Sequence, residues 1–206
     1  DQAYLADELP AGTPIVCVDR EASNLAADSV ITTNALGAAE GVRHLAAAGH
    51  RRIAFLGDRR SIRTARQRHA GYRDALGSLD LPVDPALVVH DLRESADADG
   101  AVTALLARPD SPTAIFAAQN LITMGVVRAL RRLGAEHRIA LVGFDDFVLA
   151  DLLSPGVTVV AQDPVAIGRT AATLLFSRIA GGTGAPDVRL VPTTLIRRGS
   201  GELPPP

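Results

Sequence analysis

Apolar runs of strand length alternate along this chain with longer stretches whose apolar positions recur at helical spacing, the pattern of repeated βα units wound about a parallel sheet. It predicts strands near 14–18, 29–32, 52–56, 87–90, 113–117, 138–142 and 157–160. Helices are expected between them, at 34–48, 64–78, 95–107, 121–133 and 164–180. Asn34 stands where a helix N-cap belongs and Gly49 where the same helix should stop. A last extended piece, 188–196, precedes a Pro-rich tail expected to fray. GGTGAP at 181–186 reads as a flexible loop, but no low-complexity linker divides the chain, so a second domain would have to be joined through crossing strands. The first strand comes only at residue 14, without the opening βα units of such a fold. A sheet begun part-way exposes an edge, an aggregation liability, so the natural protein is expected to be longer.

Composition narrows the class. At 206 residues with 47% apolar content the chain can fill a core, and with 3% aromatics and no Trp that core must be built from Ala, Val, Leu and Ile. Such residues suit helices layered on buried strands, which reinforces α/β. All 21 basic residues are Arg, against 23 acidic ones, and the net charge of −2 disfavours binding of nucleic acid by the surface as a whole. A lone Cys17 in the run PIVCV has no internal disulfide partner and reads as a small buried hydrophobe, compatible with a reducing cytoplasm. No apolar stretch reaches the roughly 18–20 residues that span a bilayer, and DQAYLADELP is not a signal peptide, so a soluble, cytoplasmic protein with no membrane partner is expected.

Catalytic signatures are poor. GGTG lacks the Lys-Ser/Thr of a phosphate-binding loop and follows a helix instead of opening one. There is no Gly-x-Ser-x-Gly elbow, and His44, His50, His69, His90 and His137 have no metal-ligand spacing. His50, in GHRR, is expected to serve a helix-to-strand turn. Asp145 and Asp146 are adjacent and would point apart on extended backbone, which argues against an acid/base pair. No enzyme activity, cofactor or metal is expected. Seven arginines crowd the eighteen residues 51–68, but without Lys, interleaved aromatics or a helix-turn-helix pattern they read as a solvated surface, Arg68 excepted.

Polar tips carry the positive evidence. Asp19, Gln119 and Asp145 each follow an apolar strand, which places them at carboxyl ends of parallel strands, where open α/β sheets bind ligands. Arg68 sits early in a predicted helix and offers a planar fork of donors, while Gln162 follows the strand at 157–160. Carboxylates, a guanidinium and amides converging in a cleft can saturate the hydroxyls of a sugar or the edges of a nucleobase, a recognition set instead of a catalytic one. Each also has a plainer reading: Asp145 as a turn residue, Asp19-Arg20 as a surface pair, Gln119 and Gln162 as helix-start polar residues.

Six segments in order resemble the LacI/GalR family of transcriptional regulators: PIVCVDR (14–20), TTNALGAAEGVRHLAAAGHRRIAFLGD (32–58), TARQRHAGYRDAL (64–76), PTAIFAAQNLITMGVVRALRRLG (112–134), RIALVGFDDF (138–147) and SPGVTVVAQDPVAIGRTAATLLFSRI (154–179). The resemblance implies an effector-sensing core of type I periplasmic-binding-protein-like fold, in two lobes of parallel sheets flanked by helices. Residues 1–32 and 161–187 would form an incomplete N-terminal lobe, and 33–160 with 188–206 the C-terminal lobe. It further implies a small-molecule effector, sugar-like or nucleobase-like, in the cleft between lobes, with allosteric control of DNA binding. A homodimer is implied as well, gripping operator DNA through a helix-turn-helix headpiece that these residues lack. Arg68 and Asp145 resemble the family's effector-binding arginine and aspartate, and Asp19 and Gln162 its hinge-side effector contacts. Gln119-Asn120 replaces a common Asn-Asp, so an amide stands for a carboxylate at Asn120, and Leu92 stands where some members carry a stacking aromatic ring. The alternatives on the same scaffold are a sugar-binding protein of a transport system, which would need an export signal, and a sugar- or nucleoside-processing hydrolase, which would need an acid/base or metal constellation.

Overall fold

The computed structural model describes residues 2–10 and 12–206, which fall into two compact units. The first comprises the described residues of 2–33 and 162–193 and the second 34–161 and 194–206.

In the second unit six strands run in the order β4 (Val88–Val89), β3 (Ile53–Leu56), β5 (Ala114–Ala117), β6 (Ala140–Phe144), β7 (Thr158–Ala161) and β9 (Thr194–Ile196). The first five are parallel, and β9 closes the edge antiparallel to β7, Val160 facing Leu195. Strand side chains alternate between faces, so one apolar run feeds two cores. Ile53, Phe55, Phe116, Val142 and Phe144 pack under α2 (Asn34–Ala47) and α3 (Arg63–Gly77). Ala54, Leu56, Ile115, Ala117 and Leu141 pack under α4 (Ser95–Leu106) and α5 (Asn120–Arg132). Each helix pair is drawn close by a glycine: a Cβ on Gly71 would stand 2.1 Å from the Ala35 carbonyl oxygen, and one on Gly125 2.2 Å from that of Ser95.

The first unit is smaller. β1 (Val16–Val18), β2 (Asp28–Thr32) and β8 (Val188–Val191) form a parallel sheet in the order β1-β2-β8, accompanied by α1 (Tyr4–Glu8) and α6 (Pro164–Ile179). Asp163 caps α6 by accepting from the Ala166 amide at 2.8 Å, with Pro164 at the first turn. The far end of α6 is tied to the sheet by Arg178, which donates to both carboxylate oxygens of the buried Asp28 at 2.8 and 2.7 Å. The Asp187 amide donates to the same carboxylate. That environment holds Asp28 below its ordinary value, the Arg178 hydrogen bond foremost.

Three local expectations are corrected. The extended piece at 188–196 is two strands in different sheets: β8 pairs parallel with β2 and belongs to the first unit, so residues 188–193 leave the C-terminal lobe, and only β9 joins the second. Pro192 lies between them and has no N–H for a continuous ladder. The strand at 87–90 is a 3-10 turn, Pro85–Leu87, followed by two strand residues. The Pro-rich tail is not frayed. Ser200 and Gly201 are buried, Leu203 packs on the α2/α3 core, and buried His50, the turn residue after α2, bonds the Leu203 carbonyl at 2.8 Å and the Thr113 hydroxyl at 2.9 Å. Within the small sheet burial is uneven: β2 is buried throughout, whereas Val18 and, on β8, Val188 and Leu190 are exposed.

Candidate functional site

Arg68 lies in the first half of α3 and is 5% exposed, although an arginine is rarely buried without partners. Its Nε donates to the Asn34 side-chain oxygen at 2.8 Å, at the start of α2. Its Nη1 donates to the Ala118 carbonyl at 2.9 Å, just past β5, and to Asp145 Oδ2 at 3.1 Å, just past β6. The guanidinium carbon lies 3.8 Å from the centroid of the Phe144 ring, so one face is covered by an aromatic surface while the edge is used for hydrogen bonds. Residues in or just past three elements, α2, β5 and β6, thus fix one planar fork.

Asp145 takes a left-handed backbone, φ 68°, and its amide donates to Val160, keeping the residue tied to the sheet after the strand has ended. Its side chain is 22% exposed against 7% for Arg68, so the pair meets solvent through the carboxylate. Asp146 diverges as expected and is held by Arg198 through two 2.7 Å bonds, which depress its carboxyl below the usual range.

Gln119 follows β5 and precedes α5, beside the Ala118 carbonyl that Arg68 uses. Its Oε1 is buried without a hydrogen-bond partner among the described residues, an unmet acceptor of the kind that a ligand or a water would satisfy. Asn120 instead turns back and accepts from the amide of Leu121 at 2.8 Å, the helix-start role that its position allows. Leu92 is buried in the α4/α5 core, not presented as a wall for stacking. Asp19 and Gln162 belong to the first unit. Asp19 ends β1 with φ 66°, its amide donating to Val30, and is exposed, while Gln162 is half-buried.

The structure therefore brings Arg68 and Asp145 into contact and sets Gln119 beside them. Two members of this cluster escaped the sequence reading. Asn34 was read only as a helix cap, and Phe144 lay beyond the strand expected at 138–142 and was given no role. The signal for both was indirect: a buried arginine needs acceptors and a flat surface near its fork. The cluster offers donors and acceptors to hydroxyl and amide groups and has no activated nucleophile. Among the described residues, no group of three or more His, Cys, Asp or Glu could hold a metal, and no helix is long and apolar enough to cross a membrane.

Comparison with known proteins shows the family. Residues 42–201 match the family model of the periplasmic binding protein-like domain. The ribose operon repressor of Haemophilus influenzae is 29% identical over 182 residues, 87% of this chain and 55% of that protein. The chain spans about half the length of such curated relatives. Among solved structures, a LacI-family regulatory protein from Chloroflexus aggregans superposes with a TM-score of 0.87 at 25% identity, over 96% of this chain and 70% of that one. The transcriptional regulator CelR in complex with cellobiose does so at 0.83 and 31% identity, over 92% and 59%. These relatives are transcriptional regulators, and this chain belongs to the periplasmic binding protein-like domain family, in the form that LacI-type regulators carry as their effector-binding core.

Proposed function

We propose that this chain senses a sugar or sugar derivative for a LacI-type transcriptional regulator, with Arg68 and Asp145 as its principal effector contacts. The observation that carries the reading is the buried Arg68 fork, fixed by Asn34, the Ala118 carbonyl and the Phe144 ring, and set against a carboxylate that reaches solvent. A guanidinium and a carboxylate so placed can donate to and accept from vicinal hydroxyls together, and the unmet acceptor of Gln119 adds a further bond. The cellobiose-bound relative supports sugars as the class. For Asp19, Gln162 and Asn120 the support is the family resemblance alone, and the Asn120 bond to its own helix weakens it there.

Effector binding would stabilise one arrangement of the regulator over another and so alter operator affinity in the cytoplasm. Operator DNA would be gripped by the portion of such regulators that these residues do not span. The partner in solution is a second copy of the chain. Val148, Leu149 and Leu152 follow β6 on the second unit and are 86, 58 and 75% exposed, a cluster of apolar side chains that a two-fold contact would cover. Calorimetric titration with pentoses, hexoses, disaccharides, nucleosides and free nucleobases tests the ligand class. Saturable heat from a sugar and none from a nucleobase is the expected result, and binding confined to nucleobases would overturn the sugar assignment.

A further inference from the structure

We infer that the second unit carries a second ligand site, separate from Arg68, for a phosphomonoester of a small molecule with an apolar body. A pocket of about 470 Å³ opens between α3 and the segment running through the 3-10 turn into β4. Its volume falls in the range of small-molecule sites. The lining divides by chemistry: Arg60, Arg66, Arg73, His69 and His90 make a basic wall, and Val83, Pro85 and Val88 contribute an apolar one. No carboxylate lines it. At 3.6 residues per turn, Arg66, His69 and Arg73 form one stripe of α3, and Arg68 points elsewhere, to Asn34 and Asp145.

Most arginines of the 51–68 crowd are occupied. Arg51 donates to the carbonyls of Ala46 and His50, Arg52 pairs with Asp110, Arg59 with Asp58, and Arg66 donates to the carbonyls of Arg60 and Ser61, bracing the loop that carries Arg60. Arg60 and Arg73 differ. Both side chains are exposed, and neither makes a hydrogen bond or ion pair among the described residues. Between them, the rings of His69 and His90 meet edge to face at 4.6 Å over Phe55, and the Nε2 atoms of both are buried without a hydrogen-bond partner. Burial, with His90, Arg73 and Arg60 adding to it, holds His69 down to about 4, and burial likewise lowers His90 despite nearby Asp91. Both rings are therefore neutral at pH 7, each carrying one N–H and one acceptor nitrogen. The His90 N–H is engaged by the backbone of Asp58, which leaves the His69 N–H as the imidazole donor. Two unpaired guanidinium groups flanking that donor suit the dianionic oxygens of a phosphomonoester, and the apolar wall suits the group esterified to it.

The experiment is calorimetric titration of the whole chain with phenyl phosphate and inorganic phosphate, with benzyl alcohol as the neutral control. Phenyl phosphate should bind saturably and the alcohol should not, and inorganic phosphate of equal affinity would identify the free ion as the occupant of the same basic wall. Arg60→Gln with Arg73→Gln should weaken phosphate binding by about tenfold or more while the melting temperature and any sugar binding stay unchanged, since both side chains are exposed. Arg68→Ala should leave phosphate affinity unchanged, which separates this site from the effector site. The inference is overturned if millimolar phenyl phosphate gives no heat, if the double variant binds as the wild type does, or if Arg68→Ala abolishes the phosphate signal.

Discussion

Arg68 is the residue that ties the most segments of the proposed site together. Its fork satisfies the side chain of Asn34, the carbonyl of Ala118 and one oxygen of Asp145, and it stacks on Phe144. Truncation strands those acceptors, and leaving a buried acceptor unpaired costs about 1–3 kcal/mol. We expect Arg68→Ala to lower unfolding stability by about 2 kcal/mol in urea, and Arg68→Lys, which keeps the charge but not the fork, to recover only part of that. Arg68, Asp145 and Gln119 were legible in the sequence because each stands at a helix start or strand end whose register the apolar pattern sets. The contacts of Asn34 and Phe144 with Arg68 were not legible, since they join segments 34 and 76 residues distant from Arg68 in the chain. Leu92 shows the converse, a position singled out by resemblance and absorbed by the core.

At the scale of elements, alternating strand faces and helical spacing were sufficient for the two-sided sheet of the second unit, because local periodicity carries that information. What periodicity does not carry is pairing partner. The stretch 188–196 reads as one extended segment, yet β8 follows β2 and β9 follows β7, and the choice rests on distant residues such as Asp28, which bonds both Arg178 and the Asp187 amide beside β8. The tail is ordered for a similar reason, its Leu203 carbonyl taken by His50. The Asp28–Arg178 pair gives a pH prediction. Because the folded carboxyl titrates below its ordinary 3.8, its stabilisation is fully present above that value and is lost as pH falls through the lower folded value. Urea midpoints followed by circular dichroism should drop below pH about 4, and Asp28→Asn should flatten that part of the profile while lowering stability at pH 7. An unaltered acid limb in the variant would show that the pair is not its source.

For the whole molecule, the apolar residues after β6 set the expected assembly. Val148, Leu149 and Leu152 are too exposed to serve the core, and a two-fold contact through them would remove that surface from water. Light scattering at micromolar concentration should give a dimer for the wild type and a monomer for Val148→Asp with Leu152→Asp, with unchanged circular dichroism. A dimer that survives both substitutions would have to use another face. The family was legible through segments spread over nearly the whole chain, while the identity of the proposed effector was not, since no segment of the sequence by itself sets the shape of a binding site. One titration tests the proposed effector site most directly: the sugar that the wild type binds, measured by calorimetry against Arg68→Ala. Loss of a charged donor to a bound hydroxyl should weaken binding by about tenfold to a hundredfold, with the folded signal intact. Equal affinity in the two proteins would contradict an effector site built on Arg68.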